Sequence, residues 1–150
     1  MLRTPHFLVG ATIGYFISMA GPAVLVALLS HFVLDAIPHT DTIGGHHINS
    51  ANIYLNIADV ALALLLFLIL FKDSSNLVYI FIIGIVAILP DIIEIPGLFW
   101  EGWYKLPIVS EYHHWHTEVL QYSKPKVNWF WGLLPQIVVI IAIFLIVTIG

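Results

Sequence analysis

The chain has 150 residues, 60% of them hydrophobic and 9% charged, with a net charge of −4 and no cysteine. An ordinary soluble domain carries about 25% charged residues, so this composition, with a mean hydropathy of +0.97, excludes a water-soluble fold and points to an integral membrane protein. Five Lys and Arg residues are too few for a nucleic-acid footprint, and the absence of cysteine excludes disulfides and thiolate metal sites.

In a bilayer the lipid solvates apolar faces, so folding reduces to packing helix against helix. The expectation is a single all-α domain over residues 1–150. It is a polytopic membrane bundle of five transmembrane helices, or four if one of the first two segments does not span, with an interfacial loop between the last two.

Residues 5–20 form a first apolar segment closed by Gly21-Pro22, and residues 22–37 form a second. Sixteen residues rise about 24 Å, less than the roughly 30 Å hydrocarbon core, so the pair crosses a thinned region or is partly re-entrant. His6, Gly10, Gly14 and Ser18 recur every four residues in the first segment and form a packing seam, with His6 directed at the neighbouring helix. Arg3, the apolar run and Ser18-Met19-Ala20 also fit the three regions of a secretory signal peptide, and the residues leave that reading open.

The run 30–41, Ser-His-Phe-Val-Leu-Asp-Ala-Ile-Pro-His-Thr-Asp, carries four groups able to bind a metal or a proton. His31 and Asp35 are four apart, about 40° apart on one helical face, which makes them a ligand pair. Pro38 ends the helix near Ile37, so that His39 and Asp41 turn back from the loop. Imidazole with carboxylate suits Zn, and also Mn, Fe or Ni. The alternative is a set of interfacial polar residues at a helix end. Residues 38–51, with Gly44-Gly45-His46-His47, read as a flexible loop over the site whose histidines are exposed.

The third span, 52–71, is apolar except for Asn52, Asn56 and Asp59 on one face. An Asp inside the membrane costs about 2.5–3.5 kcal/mol, so Asp59 requires a partner, either a metal or the N–H of a liganding His. A polar turn at 72–76 leads to the fourth span, 77–95, where Asp91 and Glu94 share a face behind Pro90. Residues 97–126 are rich in aromatics, and all five tryptophans fall between 100 and 131, as expected of an interfacial belt. Within them His113, His114 and His116 stand between Glu111 and Glu118; on a helix His113 and His116 face one way and His114 another. The last span, about 128–149, should bend near Gly132 and Pro135.

With five alternating spans, every histidine and every acid except Asp73 falls on one side. Arg3, Lys105, Lys124 and Lys126 share that side against Lys72, which predicts a site facing the cytoplasm from the cytoplasmic membrane, the N-terminus inside and the C-terminus outside. His31, Asp35, His39 and Asp91 then supply four ligands from three backbone segments. Asp59 with Asn56, together with Asp41 and His116, should support them rather than bind.

The pattern His-x3-Asp-x2-Pro-His-x-Asp at 31–41, Leu-Pro-Asp at 89–91 and His-His-x-His at 113–116, on a scaffold that starts near Thr4-Pro5-His6, resembles the YdjM-like membrane-bound metal-dependent hydrolases. The resemblance covers most of the chain and implies a catalytic metal held by His6, His31, Asp35, His39, Asp91 and His113 or His114. The expected function is hydrolysis of a phosphoester or other ester bond of a small-molecule or lipid-like substrate, with membrane lipid as the partner and one or two divalent metals as cofactor. Glu94 is the expected proton acceptor, with Asp35 the second catalytic carboxylate. An ion- or proton-coupled transporter and a structural membrane protein are the competing classes.

Overall fold

Apolar runs punctuated by Gly, Pro and Asn become helices here, and every regular element among the described residues is helical. The structure, a computed structural model, describes residues 1–40, 50–121 and 127–149. Asp41, His46, His47, Lys124 and Lys126 fall outside them. The long helices are α1 (Arg3–Phe16), α2 (Ala20–Asp35), α3 (Ser50–Phe71), α4 (Leu77–Glu94) and α6 (Trp129–Ile149), with the short α5 (Pro107–His113) before the last. Three stretches are long and apolar enough to cross a membrane: Ile53–Phe71, Leu77–Gly97 and Trp129–Ile149. Helix α2 is apolar but shorter, at 16 residues, and α1 has 14.

Helix α1 is the axis of the bundle and touches α2, α3, α4 and α6. Its buried residues, from Thr4 to Gly14, leave little of it facing outward. The reason lies in the glycines of α1 and α4. A Cβ on Gly10 would sit 2.5 Å from Ala87 Cβ, and one on Gly84 would sit 2.7 Å from the Phe7 ring, so α1 and α4 approach backbone to backbone, antiparallel, as small-residue seams in membranes allow. On the other flank Phe7 packs against Phe67 and Phe81 at 5.5 Å, joining α1 to α3 and α4 in one aromatic core.

The first break falls earlier than Gly21-Pro22. Helix α1 ends at Phe16, and Gly21 and Pro22 lie in the first turn of α2, where a proline forfeits only an N–H that has no intrahelical partner. Tyr79 Oη donates to the Ile17 carbonyl at 2.8 Å and holds the break open. Asn128 caps α6 by accepting the Trp131 N–H at 3.0 Å. Pro135 lies inside α6, and Gln136, fully buried one residue on, donates to the Gly132 and Thr40 carbonyls and accepts the Leu2 N–H. That one amide ties the chain leaving α2 and the chain entering α1 to α6.

These directions bring the start of α1, the end of α2, the start of α3 and the end of α4 to one end of the bundle. The aromatic segment that follows α4 closes that end by bonding to carbonyls near the end of α4. Trp103 Nε1 donates to Ile93 O at 2.8 Å, Tyr104 Oη to Glu94 O at 3.2 Å and Tyr112 Oη to Pro90 O at 3.0 Å. Gly97 makes room for this, because any Cβ there would lie 2.1 Å from the Tyr104 ring. Phe99, Trp100, Ile108 and Trp115 of the same segment are exposed, as expected of groups meeting a lipid headgroup region.

Candidate metal centre

Four side chains from three backbone segments converge at this end: His31 and Asp35 from α2, Asp91 from α4, and His116 from the π-helix His114–Gln121 that continues α5. One ligand atom from each lies within 4.8 Å of all the others. His31 Nε2 is 3.2 Å from Asp35 Oδ2, 3.2 Å from His116 Nε2 and 3.6 Å from Asp91 Oδ1, and His116 Nε2 is 3.1 Å from Asp35 Oδ2. Ligands about 2.0–2.1 Å from a tetrahedral ion stand roughly 3.4 Å from one another, so these spacings are those of a coordination shell. The donor set fits a divalent metal.

The local chain explains each placement. A helical i, i+4 step puts His31 above Asp35. His31 Nδ1–H donates to the Ala87 carbonyl at 2.8 Å, in the turn that Pro90 disrupts, and this fixes the tautomer that leaves Nε2 as a lone-pair donor. Asp35, fully buried, uses its other oxygen, Oδ1, to accept from His6 Nε2 at 3.1 Å and from the Met1 amine at 2.8 Å. The His6 ring stacks on His31 with centroids 4.1 Å apart. His116 lies against the Tyr112 ring at 5.3 Å, and Phe32 contacts both His116 and Trp115. Asp91, with its side chain 18% exposed, is the least enclosed of the four.

The other sequence candidates lie around this set. His6 Nε2 meets Asp35 at Oδ1, whereas His31 and His116 approach Oδ2. His39 Nε2 is 3.9 Å from Asp35 Oδ1 and contacts the Met1 amine, while its Nδ1–H donates to Ile37 O. His113 faces Glu94, and His114 is two-thirds exposed and paired with Glu118 at 2.6 Å. Asp59, expected to pair with a metal or a liganding His, instead accepts the backbone N–H groups of Arg3 and Thr4 and the Thr4 hydroxyl, capping the start of α1. Asn56 accepts from the Arg3 guanidinium. His116, read from sequence as a support, stands inside the set. Its i, i+4 spacing from Tyr112 was the available signal, since an aromatic one turn away on the same face marks the side that docks.

Burial pulls the His116 imidazolium down, but hydrogen bonding to Asp35 and interaction with Glu94 outweigh it and raise its pKa to about 9. Burial, then Glu94, pushes the Tyr104 phenol up to about 12 and Tyr112 higher still, so both remain O–H donors to α4. A proton on His116 therefore occupies the position that a metal would take. Metal uptake at pH 7.5, between the ordinary 6.5 and the raised 9, should release a proton, and apparent affinity should climb with pH until about 9. Calorimetric titrations in buffers of different ionisation enthalpy count that proton; uptake without release would contradict the assignment.

No protein-family model, no curated protein and no solved structure matches this chain.

Proposed function

We propose that this protein is a metal-dependent membrane hydrolase that cleaves a phosphoester, or a related ester, of a lipid-like substrate at the cytoplasmic interface. The observation that carries the reading is the convergence of His31, Asp35, Asp91 and His116 at coordination spacing beneath an aromatic interfacial segment. A donor set of two imidazoles and two carboxylates favours zinc. An ion held there supplies Lewis acidity to an ester oxygen and acidifies water. The chain supplies the rest. His31 is locked by Ala87 and Asp35 by His6, so two ligands are held before any substrate arrives, and Asp91 lies on the accessible side.

Position supports a lipid-like substrate. Phe99, Trp100, Ile108 and Trp115 are exposed, and Trp115 packs on Phe32, which contacts His116, so lipid head groups are the groups expected to reach the site first. Arg3 and Lys105 at this end against Lys72 at the other support the cytoplasmic orientation. The motif resemblance to YdjM-like hydrolases points the same way.

The test is hydrolysis by the purified protein in nanodiscs that contain phosphatidic acid and phosphatidylglycerol, with zinc or with chelator. Release of phosphate or headgroup that stops in chelator and returns with zinc is expected. A protein without stoichiometric divalent metal, whose thermal stability is the same in chelator, would remove the reading.

A further inference from the structure

Glu94 lies between two imidazoles. His113 Nδ1–H donates to Oε2 at 2.8 Å, and Oε1 faces His116 Nδ1 at 3.8 Å. Oε1 is buried and accepts no hydrogen bond among the described residues. The opposite nitrogen of His116, Nε2, is the atom directed at His31 and Asp35. For Nε2 to offer a lone pair to an ion, the ring proton must sit on Nδ1, and a carboxylate on the Nδ1 side favours that tautomer. Closing the gap to an ordinary charge-assisted hydrogen bond requires a movement of about 1 Å.

The outer end of this arrangement is braced. The His113 ring packs on Tyr104 with centroids 4.4 Å apart, and Thr117 Oγ1 is 3.3 Å from His113 Nδ1. Tyr104 is itself bonded to the Glu94 carbonyl. His113 thus holds one carboxylate oxygen and turns the other toward His116.

We propose that Glu94 is a positioning residue that fixes the ring orientation and tautomer of His116, and that His113 contributes by holding Glu94 rather than by binding the ion. This inference rests on the metal-centre reading above. It assigns Glu94 to the ligand sphere's support instead of to the substrate.

The experiment uses the intact protein in detergent, with cobalt(II) alone as the probe, and reads both affinity and visible absorption. Glu94→Gln keeps the shape, but with its carbonyl oxygen pinned by His113 the amide turns N–H toward His116 Nδ1 and favours the wrong tautomer. We expect it to weaken cobalt binding by about 10–100-fold and to shift the absorption bands. His113→Ala should produce the same change, and His113→Asn, which retains a donor near the Nδ1 position, should restore binding. Thermal unfolding of the metal-free variants controls for folding. A Glu94→Gln protein with unaltered affinity and spectrum overturns the inference, as does loss of binding on His113→Ala with Glu94→Gln unaffected. Failure of the unsubstituted protein to bind cobalt overturns the metal centre itself, a result that no variant can mimic.

Discussion

Asp35→Ala should leave the protein without bound divalent metal and should also lower its unfolding temperature in detergent. Both effects have one cause. Asp35 is fully buried at the end of α2, accepts from His6 on Oδ1 and from His116 on Oδ2, and stands 3.2 Å from His31. Removing the carboxylate takes a ligand from the centre and leaves polar rings packed with no acceptor between them. Breaking a buried charged pair by deleting one partner costs about 3–5 kcal/mol. Asp35→Asn separates the two effects, because the amide retains volume and one acceptor but no charge, so metal retention should fall further than stability does. Elemental analysis beside thermal unfolding reads both, and an Asp35→Asn protein that keeps its full complement of metal would count against the site.

His31→Ala and His114→Ala should differ as much as two histidine substitutions can. His31 is buried, its Nδ1–H committed to Ala87 and its Nε2 facing the other three ligands. Losing an outer partner of a metal ligand costs about 10–100-fold in affinity, and losing the ligand itself should cost more. His114 is two-thirds exposed and bound to an equally exposed Glu118 on the next turn, a surface pair of the kind that contributes less than about 1 kcal/mol. Competition binding against a chromophoric chelator measures the contrast. Equal affinities in the two variants would mean that the ion, if bound, sits elsewhere.

The membrane character of the chain follows from composition, and the helical positions follow from the apolar runs and their Gly, Pro and Asn boundaries. Residues 77–95 and 128–149 as read from sequence lie within a residue of α4 and α6. The pairing of His31 with Asp35 is likewise local, because i, i+4 spacing sets it before any tertiary contact exists. Length is less decisive for the first two segments. Helices α1 and α2 are short, and α1 is surrounded by other helices, so composition cannot distinguish a span from a central strut.

Asp59 shows where single-helix reasoning runs out. Its stripe with Asn56 is visible in sequence, yet the partner is the backbone at the start of α1, whose N–H groups carry no signature in side-chain spacing. The histidines at 113–116 show it more sharply. Periodicity along a helix fixes the angles among side chains on one element but not how that element is rotated against its neighbours. Here rotation is set by Trp103, Tyr104 and Tyr112 bonding to the carbonyls at the end of α4. That docking sends His116 to Asp35, His113 to Glu94 and His114 to the surface. The residue types able to bind metal, and the end of the bundle that holds them, were determined by the sequence by itself; the choice among three adjacent histidines was made only by the tertiary structure, because it depends on backbone acceptors some 20 residues away along the chain.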